Sequence, residues 1–101
     1  TNQRPNRTDI AYYIYYLNET KSLTIKNTFP SEKAWKEIGE LYNKNAKNIQ
    51  KIYNEISVSK ELRYKKSRIK NIEFVINEML SENEKAQNLA KDELKLAKLK
   101  S

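Results

Sequence analysis

Residues 35–54, WKEIGELYNKNAKNIQKIYN, read as two helices joined by a tight turn. Apolar residues recur at helical spacing before the turn, at Trp35, Ile38, Leu41 and Tyr42, and again after it, at Ala46, Ile49, Ile52, Tyr53 and Ile56. Between the two stripes stand the residues that a steep crossing of two helices requires. Gly39 is the small residue where the second helix passes close to the first. Asn43 falls where the chain must enter the left-handed region, which Asn tolerates better than almost any other non-Gly residue. Asn45 is a good N-cap for the second helix. This combination of small, turn, cap and inward apolar positions predicts a helix-turn-helix over 35–54. Lys44 stands where an apolar turn residue is typical, and its aliphatic stem can cover the gap while the ammonium stays in water.

The charge of the chain gathers on the same unit. Residues 44–70 carry nine Lys and Arg against Glu55 and Glu61, so this stretch matches the whole excess of +7, and the rest nearly cancels. An excess focused on one helix and the segment behind it is the electrostatic footprint of a polyanion partner. Double-stranded DNA is the partner expected. With standard docking, Asn45, Lys47, Gln50, Lys51 and Asn54 come near base edges in the major groove, and the Asn and Gln side chains favour adenine. Lys44, Lys60, Arg63, Lys65, Lys66 and Arg68 grip phosphates, which fixes register and carries no sequence information. About six such contacts give a log-log salt slope near −5.

Outward from this core the chain reads as helices and short connections. Residues 1–7, TNQRPNR, form a polar, flexible arm whose Arg4 and Arg7 raise a minor-groove reading. A first helix starts with Thr8 as N-cap and Asp9 in its first turn, and runs through Ile10, Ile14 and Leu17 to about Thr20. Tyr12, Tyr13, Tyr15 and Tyr16 surround it. A central helix with rings at its rim is favoured over a platform for unpaired bases, because stacking sites sit among basic residues and this helix has none. Residues 21–29, KSLTIKNTF, read as loop; Pro30 ends it and Ser31 caps the second helix. Residues 57–67, SVSKELRYKKS, read as a basic loop. A fourth helix follows on Ile69, Ile72, Val75, Ile76 and Met79 to near Leu80. A fifth is capped by Ser81 or Asn83 and buries Ala86, Leu89, Ala90, Leu94 and Ala97. With one Gly, two Pro and 33% charged residues, the expected fold is all-α, a compact bundle of about five helices, forming one domain over 8–101.

Composition narrows function by exclusion. Without Cys or His the chain has no disulfide, no thiolate metal site and no imidazole base, so no cofactor, metal or catalytic residue is expected. The acids Glu37, Glu40, Glu78 and Glu84 are spread singly, and no Gly-rich phosphate loop or small-molecule site is visible. Tyr64, flanked by Arg63, Lys65, Lys66 and Arg68, is the one candidate nucleophile, and it lacks the cluster that strand transfer needs. The longest apolar run, 10–17, is far short of the roughly 20 residues that span a bilayer. A cytoplasmic, non-enzymatic protein is expected, and the opening on Thr1 rather than Met points to a piece of something longer.

The order of parts, TDIAYYIYYLNETKSL, then AWKEIGELYNKNAKNIQKIYNEI, then a basic stretch and RIKNIEFVINEML, resembles the C-terminal region of the RteC-type regulators of Bacteroides conjugative transposons. The likeness covers roughly residues 8–80 and includes Thr8, Asp9, Tyr53, Glu55 and Ile56. It implies a transcription factor of a mobile element, acting on DNA upstream of excision genes. Two other readings stand beside it. One is a helical protein-interaction module without a nucleic-acid role; the other is an RNA or single-stranded DNA binder using the Tyr-rich helix. Leu96 and Leu99 lie off the fifth helix's main stripe, which adds a homodimer through that helix to the partner readings.

Overall fold

A polar cap, not the expected threonine, starts the helix around which the rest is built. In the computed structural model, which describes residues 5–20 and 32–100, helix α1 spans Arg7–Glu19 and its N-cap is Asn6. Asn6 Oδ1 accepts from Asp9 N (2.8 Å), and Asp9 Oδ2 accepts in return from Asn6 N (3.0 Å). This reciprocal box satisfies two amides at once, which Thr8 as cap would not. The boundary of the predicted flexible arm is corrected accordingly: Asn6 and Arg7 belong to the helix start, and residues 1–4 lie outside the described ones.

Five further helices follow among the described residues: α2 (Glu32–Tyr42), α3 (Ala46–Val58), α4 (Lys60–Arg63), α5 (Ile69–Phe74) and α6 (Glu84–Lys100). A 3-10 turn at Lys66–Arg68 leads into α5, and a π-turn at Val75–Met79 continues it. Every regular element among these residues is helical, so the all-α bundle is observed. Residues 57–67 depart from the loop expected there. α3 runs to Val58, and Ser59, in extended conformation, breaks the helix and caps the single turn of α4 by accepting from Leu62 N (3.3 Å). The predicted loop over 21–29 and the Ser31 cap lie outside the described residues.

α1 is the central helix, packed against α3, α5 and α6. Ile10, Ala11, Tyr12, Ile14, Tyr15, Tyr16 and Leu17 are all buried, and Tyr12 and Tyr16 are 0% exposed. A stacking platform on this helix is therefore not available: three of its four rings are core. They join an aromatic chain that crosses to the neighbouring helices, with Tyr15 and Tyr16 edge to face at 5.5 Å, Tyr15 near Tyr53 at 6.4 Å, and Tyr53 edge to face with Trp35 at 5.1 Å. Each such pair adds roughly 0.5–1.5 kcal/mol beyond the area it buries. α1 thereby holds α2 and α3 in register with each other.

At the other end, Leu80 N closes the π-turn on Val75 O (2.9 Å), and Gln87 Nε2 donates to Ile76 O (3.1 Å). Of the two predicted caps of α6, Asn83 takes the role, accepting from Ala86 N at 3.0 Å. Ala86, Ala90 and Ala97 are buried, with Leu89 and Leu94 packed partly against the core, and these small residues let α6 lie close to α1 and α5. Leu96 and Leu99 stay exposed.

Candidate nucleic-acid interface

The turn between α2 and α3 is built by the residues singled out in the sequence. Lys44 N donates to Gly39 O (2.9 Å) and Asn43 N to Glu40 O (3.3 Å), the paired closure of a Schellman turn. Asn43 sits at φ 54°, the left-handed position of that motif. Closure brings the Lys44 carbonyl and the start of α3 onto Gly39: a Cβ there would stand 2.8 Å from Lys44 O and 3.1 Å from Ala46 Cβ. Only a residue without a side chain lets the two helices approach this closely.

α3 then turns Ile49, Tyr53 and Ile56 into the core, with Ala46 and Ile52 half-buried beside them. At 100° per residue, Lys47, Lys51 and Asn54 form the crest opposite that stripe, and all three are exposed. Gln50 is half-buried on the shoulder. Asn45 is exposed, but its Oδ1 accepts from Lys47 N (2.9 Å) and Asn48 N (3.3 Å). Bidentate pairing with adenine needs that same oxygen, so Asn45 serves as the cap and drops out of the base-reading set. Asn48, which the sequence reading passed over, is exposed beside the crest.

The predicted phosphate set divides in two. Lys44, Lys60, Lys65 and Lys66 are exposed, and no ion pair among the described residues involves them, nor Lys47 or Lys51. Arg63 and Arg68 are engaged instead. Arg63 is 6% exposed, with Nε 2.9 Å from Glu93 Oε1 on α6, and Nη1 donating to Ile56 O at 2.9 Å. Its guanidinium lies over the rings of Tyr15 (4.9 Å) and Tyr64 (5.0 Å). Tyr64 Oη donates to Glu93 Oε2 at 2.6 Å, and Tyr12 Oη donates to the Arg63 carbonyl. Arg63 is thus a strut of the core, and the reading of it as a phosphate contact is corrected. Tyr64, buried and bonded to Glu93, does not present a nucleophile at the surface. Arg68 pairs with Glu55 on α3 at 3.2 Å and donates to Leu62 O at 3.3 Å, so it fastens the 3-10 turn to α3.

Burial displaces the titration of several groups around this strut. Burial pushes the Tyr12 phenol up to about 12, against opposing attraction from Arg68. Burial raises Tyr15 and Tyr16 further, with the Glu93 charge adding to the effect. For Arg63, burial disfavours the cation, but the Tyr64 hydrogen bond and the Glu93 charge outweigh it and hold the guanidinium above its usual range.

Two open grooves flank α3. One, of about 400 Å³, lies between its Asn48, Ile52 and Glu55 side and the start of α1 at Arg7. The other, of about 520 Å³, lies between α2 and the turn and is lined by Lys36, Glu40, Lys44 and Lys47 among others. Among the described residues no group of acids is arranged to hold a metal ion, and no helix is long and apolar enough to cross a membrane. Comparison of the chain with protein-family models, with curated proteins and with solved structures finds no match.

Proposed function

We propose that this domain binds double-stranded DNA through a helix-turn-helix formed by α2, the Asn43 turn and α3. The observation that carries the reading is the crest of α3: Lys47, Lys51 and Asn54 face water on a helix whose position is fixed by the Gly39 approach and the Asn43 turn, and no described acid pairs with either lysine. Lys47 and Lys51 approach base edges or flanking phosphates, Asn54 is the strongest candidate for adenine, and Gln50 assists from the shoulder. Lys44, Lys60, Lys65 and Lys66 hold phosphates at the two ends of α3. With Arg63 and Arg68 committed inside the fold, four contacts of the predicted set remain, and the expected salt slope eases to about −4.

Mobility-shift titrations with duplex DNA, single-stranded DNA and RNA at two salt concentrations test the proposal. Duplex preference that weakens with salt supports it; preference for a single strand, or no nucleic-acid binding, removes it. The role in transcription of a mobile element in the cytoplasm rests on the RteC-like order of parts. Reporter expression driven from the DNA that the protein selects checks that role. Exposed Leu96 and Leu99 at the end of α6 support a homodimer, the arrangement that reads two half-sites. Sedimentation of the wild-type chain and of Leu99→Glu decides it: dimer in the first and monomer in the second.

A further inference from the structure

We infer that the two grooves flanking α3 seat the two sugar–phosphate strands that border a DNA major groove, with Arg7 contacting one strand and Lys36 the other. The inference rests on the DNA reading above and adds two contacts that lie outside residues 44–70. A helix with its side chains is about 10–12 Å across, and the major groove is about 12 Å wide. When the crest of α3 points at the base edges, its two flanks must therefore meet the two strands. The helical positions divide accordingly. Asn48, Ile52 and Glu55 fall on one side of the Lys47, Lys51 and Asn54 crest, and Ala46 falls on the other. The first side carries one open groove along α3, and the other groove opens beside Ala46 at the start of α3, between α2 and the turn.

The charges in both grooves suit a polyanion. In the first, Arg7 on α1 and Lys51 on α3 face the same space, and the one acid lining it, Glu55, is already paired with Arg68 at 3.2 Å. Arg68 thus serves the groove without touching its occupant, by cancelling the charge that would repel a phosphate. In the second, Lys36, Lys44 and Lys47 stand against Glu40 alone. Arg7 also occupies an electrostatically poor place. It is the first residue of α1, at the positive end of the helix dipole, where a cation is disfavoured, and it makes no ion pair among the described residues. Asp9 is the acid of the same turn, but it is engaged in the capping box with Asn6 and accepts from Asn71, whereas a phosphate in the groove would pair with Arg7 directly. Lys36 is likewise exposed and without an ion pair among the described residues.

The test uses the full chain and a duplex recovered from a randomised pool by the wild-type protein. Phosphate ethylation interference is expected to give two clusters on opposite strands facing across one major groove. Arg7→Ala erases one cluster and Lys36→Ala the other. Each variant flattens the log-log salt slope by about 0.9, with circular dichroism unchanged, and Arg7→Lys retains the wild-type slope. Interference confined to one strand, or both alanine variants keeping both clusters and the full slope, overturns the inference while leaving duplex binding intact. Failure of the wild-type chain to select any duplex overturns the DNA reading and this inference together.

Discussion

Lys47 and Arg63 are cations of one basic stretch, yet they occupy opposite kinds of place. Lys47 stands on the crest of α3 with its ammonium in water and no ion pair among the described residues. Arg63 is buried between two tyrosine rings and bound to Glu93, fastening α4 to α1 and α6. Net charge over a segment therefore does not measure what is free to meet a partner. The difference lies in the neighbours: an arginine has a flat face for aromatic rings and a fork of donors for a carboxylate, while a lysine is a point charge that stays hydrated. Of the nine cations between 44 and 70, the two engaged in close ion pairs are the two arginines, Arg63 and Arg68.

The contrast can be broken most forcefully at the strut. Glu93→Ala leaves the Arg63 guanidinium buried without its partner and is expected to lower stability by about 3–5 kcal/mol, read as a lower urea midpoint. Replacing both partners, Arg63→Met with Glu93→Leu, restores most of the loss, because an apolar pair needs no counter-charge. A Glu93→Ala variant as stable as wild type would show that the pair is not a strut.

Alkaline pH acts on the same region. The Tyr12 phenol has a folded pKa of about 12 against an ordinary value of 10.0, so the folded state favours its neutral form. Its stabilisation is complete below pH 10 and is lost as pH rises from there through about 12, a loss on the order of 3 kcal/mol. Tyr15 and Tyr16, also raised, deepen the loss in the same direction. Urea midpoints should fall above pH 10, and tyrosinate absorbance should rise as that structure is lost. Early ionisation of these rings without loss of structure would contradict their burial.

Smaller effects are expected at the turn and the crest. Gly39→Ala drives a Cβ onto backbone at 2.8 Å and should cost roughly 1–3 kcal/mol. Asn43→Val, forced to φ 54°, should cost about 1–2 kcal/mol. Lys47→Ala and Lys51→Ala should each leave stability within about 0.5 kcal/mol, since neither side chain holds another part of the fold. Thermal melts rank all four variants. A lysine variant as damaging as Gly39→Ala would place the crest in the core's support instead.

Much of the local structure was legible because it obeys short-range rules. The left-handed Asn43, the close approach at Gly39, the Asn45 cap, the inward stripe of α3 and the alanine face of α6 all follow from spacing and residue type. Two local features were missed. Asn6 outcompeted Thr8 as cap because Asp9 completes a reciprocal box, and Ser59 split an expected loop into a helical turn. What spacing could not supply was partnership across the fold. Arg63 meets Glu93 and Arg68 meets Glu55 only after the helices pack. One signal was present: Glu93 falls in helical step with the buried Ala86, Ala90 and Ala97, and a lone acid on an apolar stripe calls for a buried cation. Arg7 was legible only as part of a polar arm with a minor-groove reading, because its nearness to α3 is a product of tertiary packing.

The central claim, that lysines left free around α3 hold duplex DNA, is tested most directly by fluorescence anisotropy titration of a labelled duplex across a range of salt. The account predicts a log-log slope of about −4 or steeper, flattened by roughly 2 when Lys65 and Lys66 are both changed to Ala. A slope near zero, or no duplex binding at any salt, contradicts it.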